Sequence, residues 1–149
     1  MTEVLFYHLE RQSLEQVLPV LLGKTLERGW RAVVQAGSPE RVEALNAHLW
    51  TYAEGAFLPH GSARDGFAER QPIWLTDGDD RPNGAEVRFL VDGAVASDVS
   101  IYGRAVYLFD GRDEDALAMA RAQWKAMKAA GHEVTYWQQS ASGAWERKA

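Results

Sequence analysis

Three cations lie close together in the segment "RAQWKAMK" of this sequence. Spaced four and three residues apart, Arg121, Lys125 and Lys128 fall on one flank of an α-helix. From Ala116 to His132 there is no acidic residue, although the whole chain carries a net charge of −5. Arg121 and Lys125 form a like-charge i, i+4 pair, which mildly destabilises a helix. The pattern indicates either a solvated helix end whose cations complement the helix dipole, or a binding site for an anionic partner.

An apolar arc borders this basic row on the same helix. On a helical wheel with roughly 100° of rotation per residue, the residues of this arc lie next to the three cations. The combination suits a ligand that carries both a carboxylate and an apolar side chain. The arc comprises Leu117, Ala120, Trp124 and Met127.

Aromatic and apolar side chains also gather in "LWTYAEGAFLPHG", residues 49–61, without a clear periodicity. Two interpretations stay open for this segment: packing of the core beneath a loop, or an aromatic cluster at a protein interface. The side chains concerned are those of Trp50, Tyr52, Phe57 and Leu58.

The residue patterns that usually support catalysis or metal binding are missing. There is no cysteine, which excludes disulfides, thiolate metal sites and cysteine nucleophiles. The four histidines show no metal-ligand spacing, and the sequence has no G-x-S-x-G elbow and no phosphate-binding glycine motif. "DGDD" at residues 77–80 departs from a calcium loop, because Pro82 stands where that loop needs glycine. We therefore expect no catalytic residues, no metal and no cofactor.

The composition sets the broad class of the protein. The chain has 149 residues, 46% of them hydrophobic and 25% charged, which is typical of one globular domain. Its acidic balance argues against non-specific binding to bare nucleic acid, which needs a broad basic surface. No apolar run approaches the ~20 residues of a membrane span, and the first residues lack the basic region of a signal peptide. We expect a soluble, cytoplasmic protein.

The elements that must position these residues alternate between strand and helix. Glu3–Leu9 predicts a first strand, and Ser13 with Gln16 predicts a capping box that opens a helix ending near Gly29. "WRAVVQAG" predicts the second strand, and Ser38–Pro39 opens the second helix. Strand, helix, strand and helix at this spacing predict parallel strands joined by right-handed crossovers.

The rest of the chain continues this pattern. "PIWLT", "EVRFLVDG" and "RAVYLFDG" predict strands, "RDEDALAMARAQWKAMKAAG" predicts the strongest helix, and the tail predicts a last strand with a short hairpin. Residues 51–71 lack periodicity and are predicted to be irregular. The predicted fold class is α/β: a single three-layer α/β/α domain over residues 1–149 with a mostly parallel central sheet, Rossmann-like but without a nucleotide fingerprint.

Ordered segments along nearly the whole chain carry a resemblance to a known family. They are "FYHL", "LW" followed by "FLPHG", "ERQPIWLT", "PNGAEVRFLVDGA", "LFDGRDEDAL", "ARAQWKAMKAAGHEVTYWQQ" and "GAWERKA". In this order they resemble the chi subunit of bacterial DNA polymerase III. The resemblance implies a Rossmann-like fold without nucleotide chemistry and a non-catalytic, accessory role in DNA replication within the polymerase III holoenzyme.

The resemblance also implies a first partner surface on the last helix. Chi subunits bind the acidic, phenylalanine-ended C-terminal tail of single-stranded DNA-binding protein, and their basic positions correspond to Arg121 and Lys125 here. Helix geometry adds Lys128 to this set. Leu117 and Trp124 are the expected apolar contacts for the phenylalanine of the tail, although either could belong to the core.

A second implied surface joins chi subunits to the psi subunit, and through it to the clamp loader, or alternatively to an accessory helicase. Its aromatic residues correspond to Trp50 and Phe57, and we add Leu58 as an adjacent apolar contact. Contact with DNA would then be mainly indirect, in a replisome at the nucleoid of the bacterial cytoplasm.

Two other functions remain open from the residues alone. One is a small nucleotide- or metabolite-binding enzyme that uses the α/β crevice, against which the missing glycine motif argues. The other is direct DNA binding through the basic helix, for which three clustered cations predict weak affinity and a shallow salt dependence.

Overall fold

The computed structural model describes residues 2–52 and 58–149, which form an eight-stranded sheet flanked by three helices. The helices are α1 (Leu14–Glu27), α2 (Pro39–Thr51) and α3 (Glu114–Ala129). The strands are β1 (Glu3–Leu9), β2 (Ala32–Gln35), β3 (His60–Ser62), β4 (Ile73–Thr76), β5 (Val87–Leu90), β6 (Arg104–Asp110), β7 (Glu133–Gln139) and β8 (Trp145–Arg147).

The sheet order is β3-β4-β2-β5-β6-β1-β7-β8. Neighbouring strands are parallel from β3 to β7, and β8 returns antiparallel to β7 as the predicted hairpin. A parallel sheet buries both of its faces, which explains the almost uniformly apolar β2, β5 and β6. The predicted α/β class with a mostly parallel sheet is confirmed.

Helices cover both faces of the sheet, as the three-layer prediction requires. Along β6, Val106 and Leu108 belong to the core cluster that includes α1 and α2, whereas Ala105 and Tyr107 belong to the cluster that includes α3. This alternation follows from the two-residue period of a strand. The core is therefore divided into two halves by the sheet.

Local side-chain caps fix where the helices begin. The hydroxyl of Ser13 accepts from the backbone N–H of Gln16 at 3.3 Å, and Gln16 Oε1 accepts from the Ser13 backbone at 2.9 Å. This is the predicted capping box, which satisfies two amide groups that a helix start would otherwise leave unpaired. Asp113 caps α3 by accepting from the backbone of Asp115 and Ala116. The entry of α3 is thus fixed immediately after β6.

The helical connections that leave β1 and β6 cross opposite faces of the sheet. Helix α1 leads the chain from β1 to β2 over one face, whereas α3 leads it from β6 to β7 over the other. Since β1 and β6 are neighbours, their carboxyl ends form the point at which strand order reverses, where open α/β sheets carry a crevice. Within the described ranges, no helix is long and apolar enough to cross a lipid bilayer.

One part of the predicted irregular region is regular. Residues 51–71 contain β3 and a short 3₁₀ helix at Ala68–Arg70. Strand β3 has the sequence His60-Gly61-Ser62 and pairs in parallel with β4 at the edge of the sheet. Its short, polar sequence carries no periodicity, because its pairing with β4 and its contacts with α2 define it instead. The expectation of an irregular segment was wrong for these residues.

Candidate functional site

The three cations of α3 form an exposed row. Arg121, Lys125 and Lys128 are all exposed to solvent. Among the side chains that the structure describes, no carboxylate oxygen lies within the 4.0 Å of an ion pair from any of them. Cations without a local counter-ion create a positive field that extends into solvent. The row is therefore available to an anionic ligand.

Trp124 connects this basic row to the core. Its ring is half-buried, and the ring centre lies 5.7 Å from that of Phe6 and 5.9 Å from that of Tyr136, with an edge-on orientation to both. The Lys128 ammonium lies 5.1 Å from the centre of the same ring, at cation–π distance. Trp124 therefore packs in the core beneath α3 and keeps part of its surface beside the cations, so it combines the two positions that the sequence left open.

The residues of the apolar arc on α3 differ in burial. Ala120 is buried, and Met127 is half-buried against the same core cluster as Trp124. Leu117 is half-buried near the start of the helix but does not belong to that cluster in the described part of the chain. Leu117 can therefore contact a ligand without disturbing the packing beneath α3.

The sequence did not predict the contact between Tyr136 and His8, which lies on the α3 side of the sheet. The hydroxyl of Tyr136, on β7, lies 2.6 Å from His8 Nδ1, and His8 Nε2 lies 2.8 Å from Glu10 Oε1. Burial raises the pKa of Tyr136, and the positive charge of Arg121 partly offsets this shift. Strand alternation could have placed Tyr136 on the α3 side, but only the pairing of β1 with β7 brings it to His8.

The residues predicted for the second surface differ in their exposure to solvent. Trp50, at the end of α2, is 48% exposed, and its ring centre lies 4.2 Å from that of His60 on β3. Leu58 is only 5% exposed and belongs to the core cluster of α1 and α2. The expectation of Leu58 as a surface contact therefore needs correction: this apolar side chain closes the core at the sheet edge. Phe57 lies outside the described residues.

A cavity of about 610 Å³ lies at the switch point of the sheet. Its floor is mainly apolar, and its rim carries five carboxylates and two guanidinium groups. An acidic rim repels phosphate, so the cavity offers no support for the nucleotide-binding enzyme considered above. Within the described ranges, no group of three or more potential ligand side chains is arranged to hold a metal ion.

Comparison with known proteins identifies the family of this chain. Residues 1–135 match the sequence model of the family described as DNA polymerase III chi subunit, HolC. A curated relative, the "Probable DNA polymerase III subunit chi" of Rickettsia prowazekii (strain Madrid E), is 31% identical over 91 residues. That alignment covers 61% of this chain and 55% of the relative, so the chain spans about half the length of the relative it matches. This chain belongs to the chi subunit family of DNA polymerase III.

Proposed function

We propose that this chain is an adaptor subunit of the DNA polymerase III holoenzyme that binds the acidic C-terminal tail of single-stranded DNA-binding protein on α3. The observation that carries the proposal is the exposed row of Arg121, Lys125 and Lys128, which has no carboxylate partner in the described structure. Family membership supports it, since the match covers residues 1–135 and includes this row.

The ligand contacts follow from the positions of the side chains. The terminal carboxylate of the tail pairs with Arg121 and Lys125, which lie one helical turn apart. The phenylalanine ring lies against Leu117 and the accessible part of Trp124. Lys128 contributes mainly positive charge, because its ammonium already lies over the Trp124 ring. Acidic residues upstream in the tail extend along the same positive field.

The magnitudes predict a weak and reversible contact. A charge-assisted hydrogen bond contributes ~1.5–3 kcal/mol, and burial of a phenylalanine side chain contributes about 1.5–3 kcal/mol. Together these two terms contribute about 3–6 kcal/mol, and the cost of association reduces that sum, so we expect a dissociation constant in the micromolar range or weaker. Many tails on one coated strand would raise the effective affinity through multivalency. Such a contact suits transfer between template positions.

The second surface would link the chain to the clamp loader. Trp50 is the exposed aromatic residue there, and Phe57 is its expected companion. We propose that they contact the psi subunit, or an equivalent partner such as an accessory helicase, in the cytoplasmic replisome. Leu58 supports the surface from the core rather than contacting the partner.

A labelled acidic peptide that ends in phenylalanine tests the first surface by fluorescence anisotropy. The Arg121→Ala/Lys125→Ala variant should bind at least about tenfold more weakly, as expected when two charged contacts are lost. Wild-type affinity should fall as salt rises. The matched control is Lys24→Ala/Arg64→Ala, which removes two exposed cations from α1 and from the loop after β3. Equal loss of affinity in both double variants would contradict the α3 site.

A pull-down with psi or a clamp-loader assembly tests the second surface. Trp50→Ala and Phe57→Ala should each reduce recovery of the partner while the protein stays folded. Phe67→Ala is the matched control, because Phe67 is a 75% exposed phenylalanine just before the 3₁₀ helix. Unchanged recovery with both test variants would exclude this assignment and leave the α3 proposal intact.

A further inference from the structure

We propose that the crevice at the switch point of the sheet is a docking groove for a basic, apolar peptide segment of a partner protein. The groove lies at the carboxyl ends of β1, β5 and β6. Its α3 residues include Ala116, Met119 and Gln123, which a helical wheel places on the other side of the apolar arc from Arg121 and Lys125. Asp115 also lines the groove, and the buried Ala120 is shared with the apolar arc. The groove is therefore separate from the surface proposed above for the acidic tail.

The shape of the groove suits an extended side chain with an apolar body. Its volume of about 610 Å³ is within the range of sites that bury a ligand. Met119 is 43% exposed, and its sulfur would lie 3.6 Å from a Cβ atom placed on Gly93, so the two residues approach each other across the opening. A methionine there can adapt to the shape of a bound aliphatic chain. The apolar floor is formed by Leu9, Leu14, Leu90, Ala94, Tyr107 and Ala120.

The charge of the groove identifies the sign of its ligand. With five carboxylates and two guanidinium groups, the formal net charge of the groove is −3. The net charge of the whole chain is −5. More than half of the net charge is thus concentrated at one opening. The acids are Glu15, Asp92, Asp110, Asp113 and Asp115, and the cations are Arg41 and Arg112.

The two cations of the rim are already engaged by acids of the rim. Arg41 lies 3.1 Å from Glu15 and 2.9 Å from Asp92, and Arg112 lies 3.3 Å from Asp110. They therefore have little capacity to attract an external anion. Asp115 has no ion-pair partner among the described side chains.

Two acids of the rim, Glu15 and Asp110, have pKa values below their ordinary values. Burial raises the pKa of Glu15, but hydrogen bonds from the backbone and from Arg41 outweigh that effect and leave the pKa below its usual value. The backbone N–H of Arg112 lowers the pKa of Asp110. These two carboxylates therefore carry negative charge under physiological conditions.

These observations favour one occupant. A lysine or arginine can place its aliphatic stem on the apolar floor and its charged end at the acidic rim. A neighbouring leucine or valine would bury further apolar area, whereas phosphate or carboxylate groups would be repelled. Charge complementarity of this kind mainly sets specificity and the rate of association. The partner segment should accordingly combine apolar residues with at least two basic residues.

The first experiment is an NMR titration of the ¹⁵N-labelled full chain with an acetylated, amidated hexapeptide that contains four leucines and two lysines. Amide signals of Gly93, Gly111 and Ala116 should shift in a saturable manner. The Asp110→Asn/Asp115→Asn variant should bind about tenfold more weakly, as expected from the loss of two charges at partly exposed positions. Met119→Lys should weaken binding at least as much, since it places a cation at an exposed position on the groove.

Matched controls separate this site from general charge attraction. Asp77→Asn/Glu133→Gln removes two exposed acids outside the groove and should leave peptide affinity within about twofold of the wild type. Thermal unfolding of each variant checks that the fold is kept. Equal weakening by the control and groove variants would overturn the proposal. So would groove shifts caused by ADP, or by the same peptide with glutamate in place of lysine.

Discussion

The ammonium nitrogen of Lys128 lies 5.1 Å from the centre of the Trp124 ring. The contact joins the basic row of α3 to the aromatic cluster beneath the helix, because Trp124 also packs edge-on against Phe6 and Tyr136. It therefore distinguishes Lys128 from Arg121, which lies on the same row without such a ring contact among the described residues. The two cations should contribute differently to ligand binding.

Lys128→Ala should weaken binding of the acidic peptide by only about two- to threefold, whereas Arg121→Ala should weaken it by about tenfold. The reason is that a guanidinium can form a bidentate bond with a carboxylate, whereas the Lys128 ammonium is held over an indole. Anisotropy titrations of the two single variants measure the ratio. An equal loss in both would show that the row acts as undirected charge.

Trp124→Ala should destabilise the protein by about 2–4 kcal/mol, because it removes a large side chain that packs on the core. Trp124→Phe should cost less, since a ring remains against Phe6 and Tyr136. Urea unfolding gives both values. Trp50→Ala is the comparison at a 48% exposed position and should cost under about 1 kcal/mol. A loss at Trp124 no larger than at Trp50 would place the Trp124 ring outside the core.

Two glycine-to-alanine substitutions should change stability in opposite directions. A Cβ atom on Gly111 would overlap the imidazole of His8, so Gly111→Ala displaces a ring that contacts Tyr136 and Glu10. We expect a loss of about 1–3 kcal/mol. At Gly23, inside α1, nothing lies within 4 Å of an added Cβ, so Gly23→Ala should gain about 0.5–1 kcal/mol from helix propensity.

Thermal or urea unfolding of the two variants checks this pair. Opposite signs are the expected outcome, since the chemical change is the same and only the surroundings differ. A stabilising Gly111→Ala would mean that the His8 side chain can move without cost, and it would remove the argument that the His8–Tyr136 contact is fixed.

Arg88 should be essential for stability although it belongs to none of the surfaces proposed above. It is fully buried, and its guanidinium donates to Gln35 at 2.7 Å, to the Tyr102 hydroxyl at 2.8 Å and to the backbone carbonyls of Gly78 and Asp80. Arg88→Met would leave these acceptors without donors and should cost at least about 3 kcal/mol. Arg88→Lys should recover only part of this loss, because an ammonium cannot reproduce the planar set of donors. Chemical unfolding measures both; a nearly neutral Arg88→Met would contradict this role.

Acid should weaken the connection between β3 and α2. The backbone N–H of Ser62 and the side chain of Asn46, on α2, lower the pKa of Asp65 below its ordinary value of 3.8. Because the pKa in the folded state is lower than in the unfolded state, the stabilisation is present above about pH 4 and is lost as pH falls through the folded pKa. Asp65→Asn should therefore be less stable at neutral pH and should lose less stability on acidification.

Unfolding free energies measured between pH 7 and pH 3 test this expectation. Asp77→Asn is the control, as an exposed aspartate in the loop that follows β4. If Asp65→Asn and the wild type lost stability in parallel, the hydrogen bonds to Asp65 would not contribute to the pH dependence.

The features that the sequence predicted are those fixed by local interactions. Ser13 and Gln16 could be assigned to a capping box because both partners lie within one turn of the helix start. The burial of Leu58 depends instead on the core cluster that it shares with Leu45 and Leu49 of α2, which no local pattern encodes. For the same reason the short strand β3 was missed.

Contacts between distant parts of the chain account for the rest of what was missed. His8 and Tyr136 are 128 residues apart in the sequence and meet only because β1 and β7 pair. The acidic groove likewise combines loops that follow β1, β5 and β6. Sequence spacing could identify the basic row of α3, since that row lies on one helix, but it could not identify a surface built from three strand ends.

The order of the sheet gives the molecule the properties of a rigid spacer. Strand β3, beside Trp50, is at one edge, and β1, which packs beneath α3, is five strands further along. At about 4.8 Å per strand, this separates the two regions by about 24 Å. Partners bound at the two ends should then be held simultaneously without steric conflict, and each should bind with the affinity that it has alone. Force between partners bound at the two proposed surfaces would be carried across the strands by their hydrogen bonds.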